Sequence, residues 1–325
     1  MGNNVVVSQN KIDSNMKDAT NKKIRNKFLS DVIRDKQLYF MFLPVFIWFI
    51  IFNYLPMYGI HIALKNFSLF KGIEGSPWVG IDNFITFFTG PFFERIFINT
   101  LTISLYGIII EFPIPIILAI LFNEIRNKHY KKITQTIVYI PHFVSVVVVV
   151  GMVITLLSPS NGLINIIISK LGGEKIYFLT SPEWFKPIYI MMNVWKEAGF
   201  NSVIFIAAIA AIDVSQYEAA VIDGANKFKQ LIHVTIPGLL PTIVIMLILR
   251  IGNLLNVGYE AIILLYQPAT YSSADVISTY VYRAGLIQQE YSLASAVGLF
   301  NGVIGLILVV GTNYFSNKVT ENGLW

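Results

Sequence analysis

Apolar positions in this chain gather into long blocks instead of alternating with polar ones. Six blocks stand at about 38–62, 96–122, 133–157, 188–212, 237–263 and 293–315. Each supplies the roughly 20 residues that cross about 30 Å of hydrocarbon. A backbone in lipid has no water to bond, so each block is expected to be helical. Prolines at 44, 56, 113, 115, 141 and 241 fall inside them, which membrane helices tolerate when neighbours satisfy the freed carbonyls. The expected fold is all-α and polytopic, with six transmembrane helices. Residues 1–37 form a polar tail rich in Asn and Lys. The apolar stretch after it starts too late and runs too long for a cleavable signal peptide. In the tail Ile24, Phe28, Val32 and Ile33 recur near helical spacing among basic residues, the pattern of a short helix on a membrane surface. Disorder is expected before about residue 22.

Composition sharpens this picture. Of 325 residues, 55% are hydrophobic and 13% charged, against about 25% charged in soluble domains. An ordinary cytosolic enzyme, a disordered chain and a collagen-like chain are all excluded. The chain has no cysteine, so a disulfide framework, a thiol nucleophile and a Cys-ligated metal are excluded too. The net charge of +5 follows from basic residues held at one membrane face and is not a nucleic-acid signal. Of the 24 Lys and Arg residues, alternate connecting segments hold 15 against 7. The richer set contains the N-terminus and the loops 123–132 and 213–236. Both termini and these loops are therefore expected in the cytoplasm. The opposite loops, 63–95, 158–187 and 264–292, carry Trp78, Trp184 and many Phe and Tyr. These aromatics either anchor the membrane interface or form a docking surface for an extracellular partner.

Candidate chemistry is sparse. His61, His129, His142 and His233 are scattered, without H-E-x-x-H or any metal-ligand spacing. His142 reads as a helix-end or interface residue. The phosphate-cradling patterns G-x-x-x-x-G-K-[ST] and G-x-G-x-x-G are missing, as is the G-x-S-x-G nucleophile elbow. The chain reads as non-catalytic, with no metal site and no cofactor of its own.

The fourth loop, Asp213 to Pro237, is the informative one. Ser215 stands three residues before Glu218, the spacing of a capping box. Ala219, Ala220 and Ile222 continue a short helix that Gly224 ends or bends. Phe228, Leu231 and Ile232 then set an apolar stripe on a second short helix, and Pro237 marks entry to the fifth span. Small residues and an acidic group on an exposed helix suit close docking of a cytoplasmic partner.

Glu218-Ala219-Ala220, then Gly224 four residues on and Val234-Thr235-Ile236-Pro237 beyond it, resemble the E-A-A-x3-G-x9-I-x-L-P motif of ABC importer permeases. Val234 and Ile236 depart conservatively from its Ile and Leu. Gly75–Phe84 (GSPWVGIDNF), Tyr139–Phe143 (YIPHF) and Trp195–Asn201 (WKEAGFN) are similar to the oligosaccharide and polysaccharide branch of that family. The resemblance covers nearly all of residues 38–325. It implies a type I importer fold in a bacterial plasma membrane, paired with a second, homologous permease. It also implies two cytoplasmic ABC ATPase subunits that bind ATP and Mg, and an extracellular solute-binding protein or lipoprotein that delivers an oligosaccharide. By the same resemblance, Glu218, Ala219, Ala220, Asp223, Gly224 and Pro237 belong to the ATPase-coupling element.

Polar groups within spans are costly and mark wet paths or helix contacts. Asn193, Glu197 and Phe200 share one face of span four. Arg250, Asn253, Asn256 and Glu260 form a stripe on span five. Amides and aromatics suit the hydroxyls and C–H faces of a sugar, and the family's substrate site draws on these two regions. Asn193, Glu197, Phe200, Asn253, Asn256 and Glu260 are therefore the candidate substrate path, while each asparagine also suits a bond between helices. Arg250 with Glu260, or Lys196 and Glu197 with outside partners, are candidate ion pairs. Glu111, beside Pro113 and Pro115, either satisfies freed amides when protonated or pairs with the companion permease. The rival readings are the same machinery importing another solute such as glycerol phosphate, a secondary transporter, and a membrane-embedded enzyme. The second requires inverted repeats and the third paired catalytic groups, and neither is evident.

Overall fold

The structure is a computed structural model and describes residues 34–320 and 323–324. The expected surface helix at Ile24–Ile33 lies outside these residues. The chain divides into two compact units, Met1–His61 and Ile62–Trp325. In the first, helix α1 (Lys36–Phe49) runs into a π-helical turn, Ile50–Tyr54, ahead of Pro56.

The second unit opens with a folded loop. Lys65 and Trp78 form an isolated antiparallel bridge, and Asn83 Nδ2 donates to the carbonyls of Ala63 (2.9 Å) and Lys65 (3.1 Å). The Gly75–Phe84 motif is thus what fastens this loop, and it leads into helix α2 (Asp82–Thr89). Helix α3 (Phe93–Glu124) is one long apolar rod interrupted by a π-helical turn at Gly107–Glu111. Pro113 explains the interruption: it lacks an N–H and its ring crowds the carbonyl four residues back, and a wider turn relieves both. The same relation holds at Pro237, which follows the π-helical turn Leu231–Thr235.

Helices α4 (Lys128–Phe143) and α5 (Val146–Leu157) meet at a 98° bend. Pro141 sits in the tight last turn of α4, and the Ser145 hydroxyl caps α5 by accepting from Val148 N. The third apolar block is therefore a broken pair of helices. Helix α6 (Pro182–Ala210) is continuous over 29 residues. It turns by 68° into the short helix α7 (Val214–Ile222). Helix α8 (Lys227–Gly252) follows, then α9 (Tyr259–Leu265), α10 (Ile277–Tyr282) and α11 (Tyr291–Thr320). Among the described residues four helices have the length and apolarity to cross a membrane, and up to six segments do if each bent pair crosses once.

Two expectations need correction. The second short helix expected around Phe228–Ile232 is not separate: it is the start of α8, which carries on through the π-helical turn and past Pro237. The fifth block is not one helix to 263, because α8 ends at Gly252 and Asn253–Gly258 run as non-helical backbone before α9. A polar stripe over 250, 253, 256 and 260 therefore does not exist on a single helix.

Three apolar clusters hold the unit together. Val149, Tyr189, Ile190 and Ile262 join α5, α6 and α9. Phe87, Ile96, Ile277 and Val297 join α2, α3, α10 and α11. Ala119, Phe205, Ile209 and Leu239 join α3, α6 and α8. Gly199 lets α6 approach α4 closely, since a Cβ there would overlap the Val138 carbonyl oxygen.

Candidate functional site

A cavity of about 530 Å³ opens between α3, α6, the end of α8 and the segment Asn253–Gly258. Its size falls within the roughly 300–1,000 Å³ typical of small-molecule sites. Helix α6 contributes a strict i+4 row, Tyr189, Asn193, Glu197, Asn201 and Phe205, which is one ridge of an α-helix. Irregular backbone at membrane depth is tolerated only when buried in protein or lining a wet cavity, and Asn253, Asn256 and Gly258 line this one. The Ser104 hydroxyl on α3 donates to the Leu254 carbonyl, and Ser278 Oγ donates to the Val257 carbonyl at 2.8 Å. The break is thus held by protein bonds.

The charged groups of the cavity are paired. Glu111 receives a bond from Arg250 Nη2 on one oxygen and from Asn193 Nδ2, at 3.2 Å, on the other. Glu197 receives Lys196 Nζ at 2.5 Å and pairs with His142 Nδ1 at 2.7 Å. The α4–α5 bend delivers His142 to this point, and its ring stacks on Phe200 at 4.0 Å between centroids. These partners correct three expectations. Arg250 pairs with Glu111 and not with Glu260. Glu111 pairs within this chain. Lys196 and Glu197 serve each other and His142.

The 213–237 region has its own geometry. Asp213, not Ser215, caps α7: its carboxylate accepts from Ser215 N at 2.9 Å. That backbone N–H holds the Asp213 carboxyl below its usual range. At the other end Gly224 takes φ +75°, a left-handed conformation that costs a residue with a Cβ. Ala225 N bonds Ala220 O at 2.8 Å and Gly224 N bonds Val221 O at 3.0 Å, which together make a Schellman cap. Glu218, Ala219, Asp223, Gly224 and Pro237 are exposed and Ala220 is half-buried. Tyr217 Oη and Thr235 Oγ1, 3.0 Å apart, tie α7 to the π-helical turn of α8.

The model of the binding-protein-dependent transport system inner membrane component matches residues 111–321. This chain belongs to that family. The permease is 44% identical to protein LplB of Bacillus subtilis strain 168, over 90% of this chain and 92% of the relative. It is 45% identical to the polygalacturonan/rhamnogalacturonan transport system permease YteP of the same strain, over 94% and 95%. Among solved structures it is similar to a chain of a bacterial ABC transporter involved in import of the acidic polysaccharide alginate. That match has a TM-score of 0.84 and 48% identity, and covers 90% of this permease and 99% of that chain. The permease is therefore the non-catalytic, membrane-spanning subunit of an ABC importer, with an all-α fold.

Of the sequence-derived path residues, the cavity brings together Asn193, Glu197, Asn253 and Asn256. Phe200 is not among its lining residues, because it turns to His142. Glu260 is not among them either, because the break carries it to the exposed first turn of α9. Sequence reasoning missed Tyr189 and Asn201, although the four-residue repeat through Asn193 and Glu197 marks both. It also missed Asp275, which is fully buried beyond the spans. Asp275 receives Arg283 at 2.7 and 2.8 Å, Arg95 at 3.0 Å and Thr279 Oγ1 at 2.8 Å. Its own bonds to the Asp275 carboxylate hold the Arg283 guanidinium above the usual range.

Proposed function

We propose that this permease pairs with a second, homologous permease and two cytoplasmic ATPases, and imports an oligosaccharide bearing uronate groups. An extracellular solute-binding protein delivers the sugar. ATP and Mg are held by the ATPases, and both termini of the permease face the cytoplasm. The observation that carries this reading is the combination of an exposed, doubly capped helix bearing Glu218 with a polar cavity, the two joined by α8. The names of the polygalacturonan/rhamnogalacturonan permease and the alginate importer support an acidic sugar. A structure of the alginate transporter in complex with an alginate-bound periplasmic protein supports the delivery step. The 15 to 7 bias of basic residues supports the orientation.

In this mechanism ATP-driven closure of the two ATPases draws the α7 helices together. The permease pair then shifts from inward-open to outward-open and presents its cavity to the loaded binding protein. Glu218 meets the ATPase groove as an exposed acceptor. The test is purification of the native complex together with Glu218→Lys. Recovery of a second permease and an ATPase, with uptake lost in a variant that still inserts, is the expected result. A chain that purifies alone, or a Glu218→Lys variant with unchanged uptake, refutes the assembly or the coupling role respectively.

A further inference from the structure

Arg250 is built into the cavity in a way that a purely structural ion pair does not require. Its guanidinium lies against Gly107, where a Cβ would overlap Nη2. The π-helical turn that begins at Gly107 ends at Glu111, so one local distortion supplies both the notch and the counter-ion. Asn193 holds the second oxygen of Glu111. Yet Glu111 engages one nitrogen of Arg250, and among the described residues Nε and Nη1 have no protein partner. A guanidinium carries five N–H donors in a planar fork, so its outer edge remains free. The Arg250 side chain is 41% exposed against 13% for Glu111. Among the described lining residues Arg250 alone is cationic, and the other acid there, Glu197, is already covered by Lys196 and His142.

We propose that Arg250 is the specificity-determining residue for the sugar's carboxylates: Glu111 and Gly107 fix the guanidinium, and its free edge receives a uronate carboxylate within the cavity. The proposal rests on the acidic-oligosaccharide reading above. A planar fork matches a carboxylate with two parallel charge-assisted bonds, which a neutral hydroxymethyl group cannot reproduce. Asn253 and Asn256 also line the cavity and offer amide oxygens to neighbouring hydroxyls, the Asn253 Nδ2 already donating to the Leu249 carbonyl.

The absence of cysteine supplies a direct assay. Leu249→Cys gives this chain one thiol beside Arg250 on the cavity wall, and maleimide labelling of the full reconstituted transporter, read on this chain after the subunits are separated, reports occupancy without the binding protein. The probes are oligogalacturonate, oligoalginate and their carboxyl-reduced counterparts. With Arg250 intact, protection by the carboxylated sugars is expected at roughly ten- to a hundredfold lower concentration than by the reduced ones. Arg250→Gln is expected to erase that difference, and Arg250→Lys, which keeps charge but not the fork, to leave part of it. Unprotected labelling at the normal rate shows that the cavity has formed in each variant, and if it has not in Arg250→Gln, the Lys variant decides. A preference that survives both substitutions overturns the role of Arg250 and leaves the acidic reading standing. Equal protection by both kinds of sugar, or protection by neither, overturns the proposal, and uptake of the same probes by the unsubstituted transporter then shows whether the acidic reading falls with it.

Discussion

Asp275→Asn is the most demanding test of the packing described here. Asp275 is completely buried, and its two oxygens take three bonds from Arg95 and Arg283 and one from Thr279. Removing one partner of a buried ion pair costs roughly 3–5 kcal/mol, because the remaining charge is left uncompensated. Here Arg95 and Arg283 are 35% and 21% exposed and regain some water, which puts the cost near the lower figure, about 3 kcal/mol. At roughly 2–4 °C per kcal/mol for 150–250 residues, and less for a longer chain, the unfolding midpoint should fall by at most about 6–12 °C. The assay is thermal unfolding of the purified full complex, followed by intrinsic fluorescence and by size-exclusion recovery. The partners have an order as well: Arg283 binds with two nitrogens and Arg95 with one, so Arg283→Gln should cost more than Arg95→Gln. A shift under about 2 °C for Asp275→Asn, or the reverse order of the arginines, refutes the reasoning.

Three further outcomes follow from the geometry. Gly199→Val should abolish assembly by driving α6 away from the Val138 carbonyl, read as loss of the monodisperse complex, whereas Gly298→Ala, with open space around it, should assemble normally. Because Ser215 holds the Asp213 carboxyl below its usual 3.8, the cap of α7 is fully formed above that value and is lost only as pH falls through the lowered one. Transport coupling in the unsubstituted protein should therefore show no Asp213-dependent change between pH 5 and 8, while Asp213→Ala weakens it across that whole interval. Asn253→Ala should alter sugar-stimulated ATPase activity of the complex without loss of assembly, and unchanged stimulation would remove this residue from the path.

That the apolar blocks are helical was legible because lipid leaves the backbone no other local solution; the bend after Pro141 and the stop at Gly252 were not. The α7 region was legible for a different reason: Glu218, the alanines and Gly224 encode an exposed helix with a fixed end. What escaped was whatever depends on distant partners or on how a helix stops. Arg250 and Glu111 lie 139 residues apart, and no spacing rule links them. Asn253 and Asn256 read as a polar stripe on a helix, yet both lie in the non-helical segment between Gly252 and Tyr259. Phe200 was placed on the cavity face because i+3 and i+4 both count as neighbours on a helix. The neighbour that faces the cavity is Asn201, and Phe200 is taken by a histidine that only the bend in the third block brings near.

The continuity of α8 changes what kind of device this subunit is. A loop helix followed by a separate span would leave a joint between the docking region and the sugar. Instead 26 residues, Lys227–Gly252, run as one helix through the π-helical turn and past Pro237 and Pro241, roughly 39 Å at 1.5 Å per residue. Tyr217 latches α7 to the near end of this rod, and Arg250 stands in its final turn. In the proposed assembly a stroke applied at α7 passes through the Tyr217–Thr235 contact into this helix, whose far end stops at the unwound residues after Gly252.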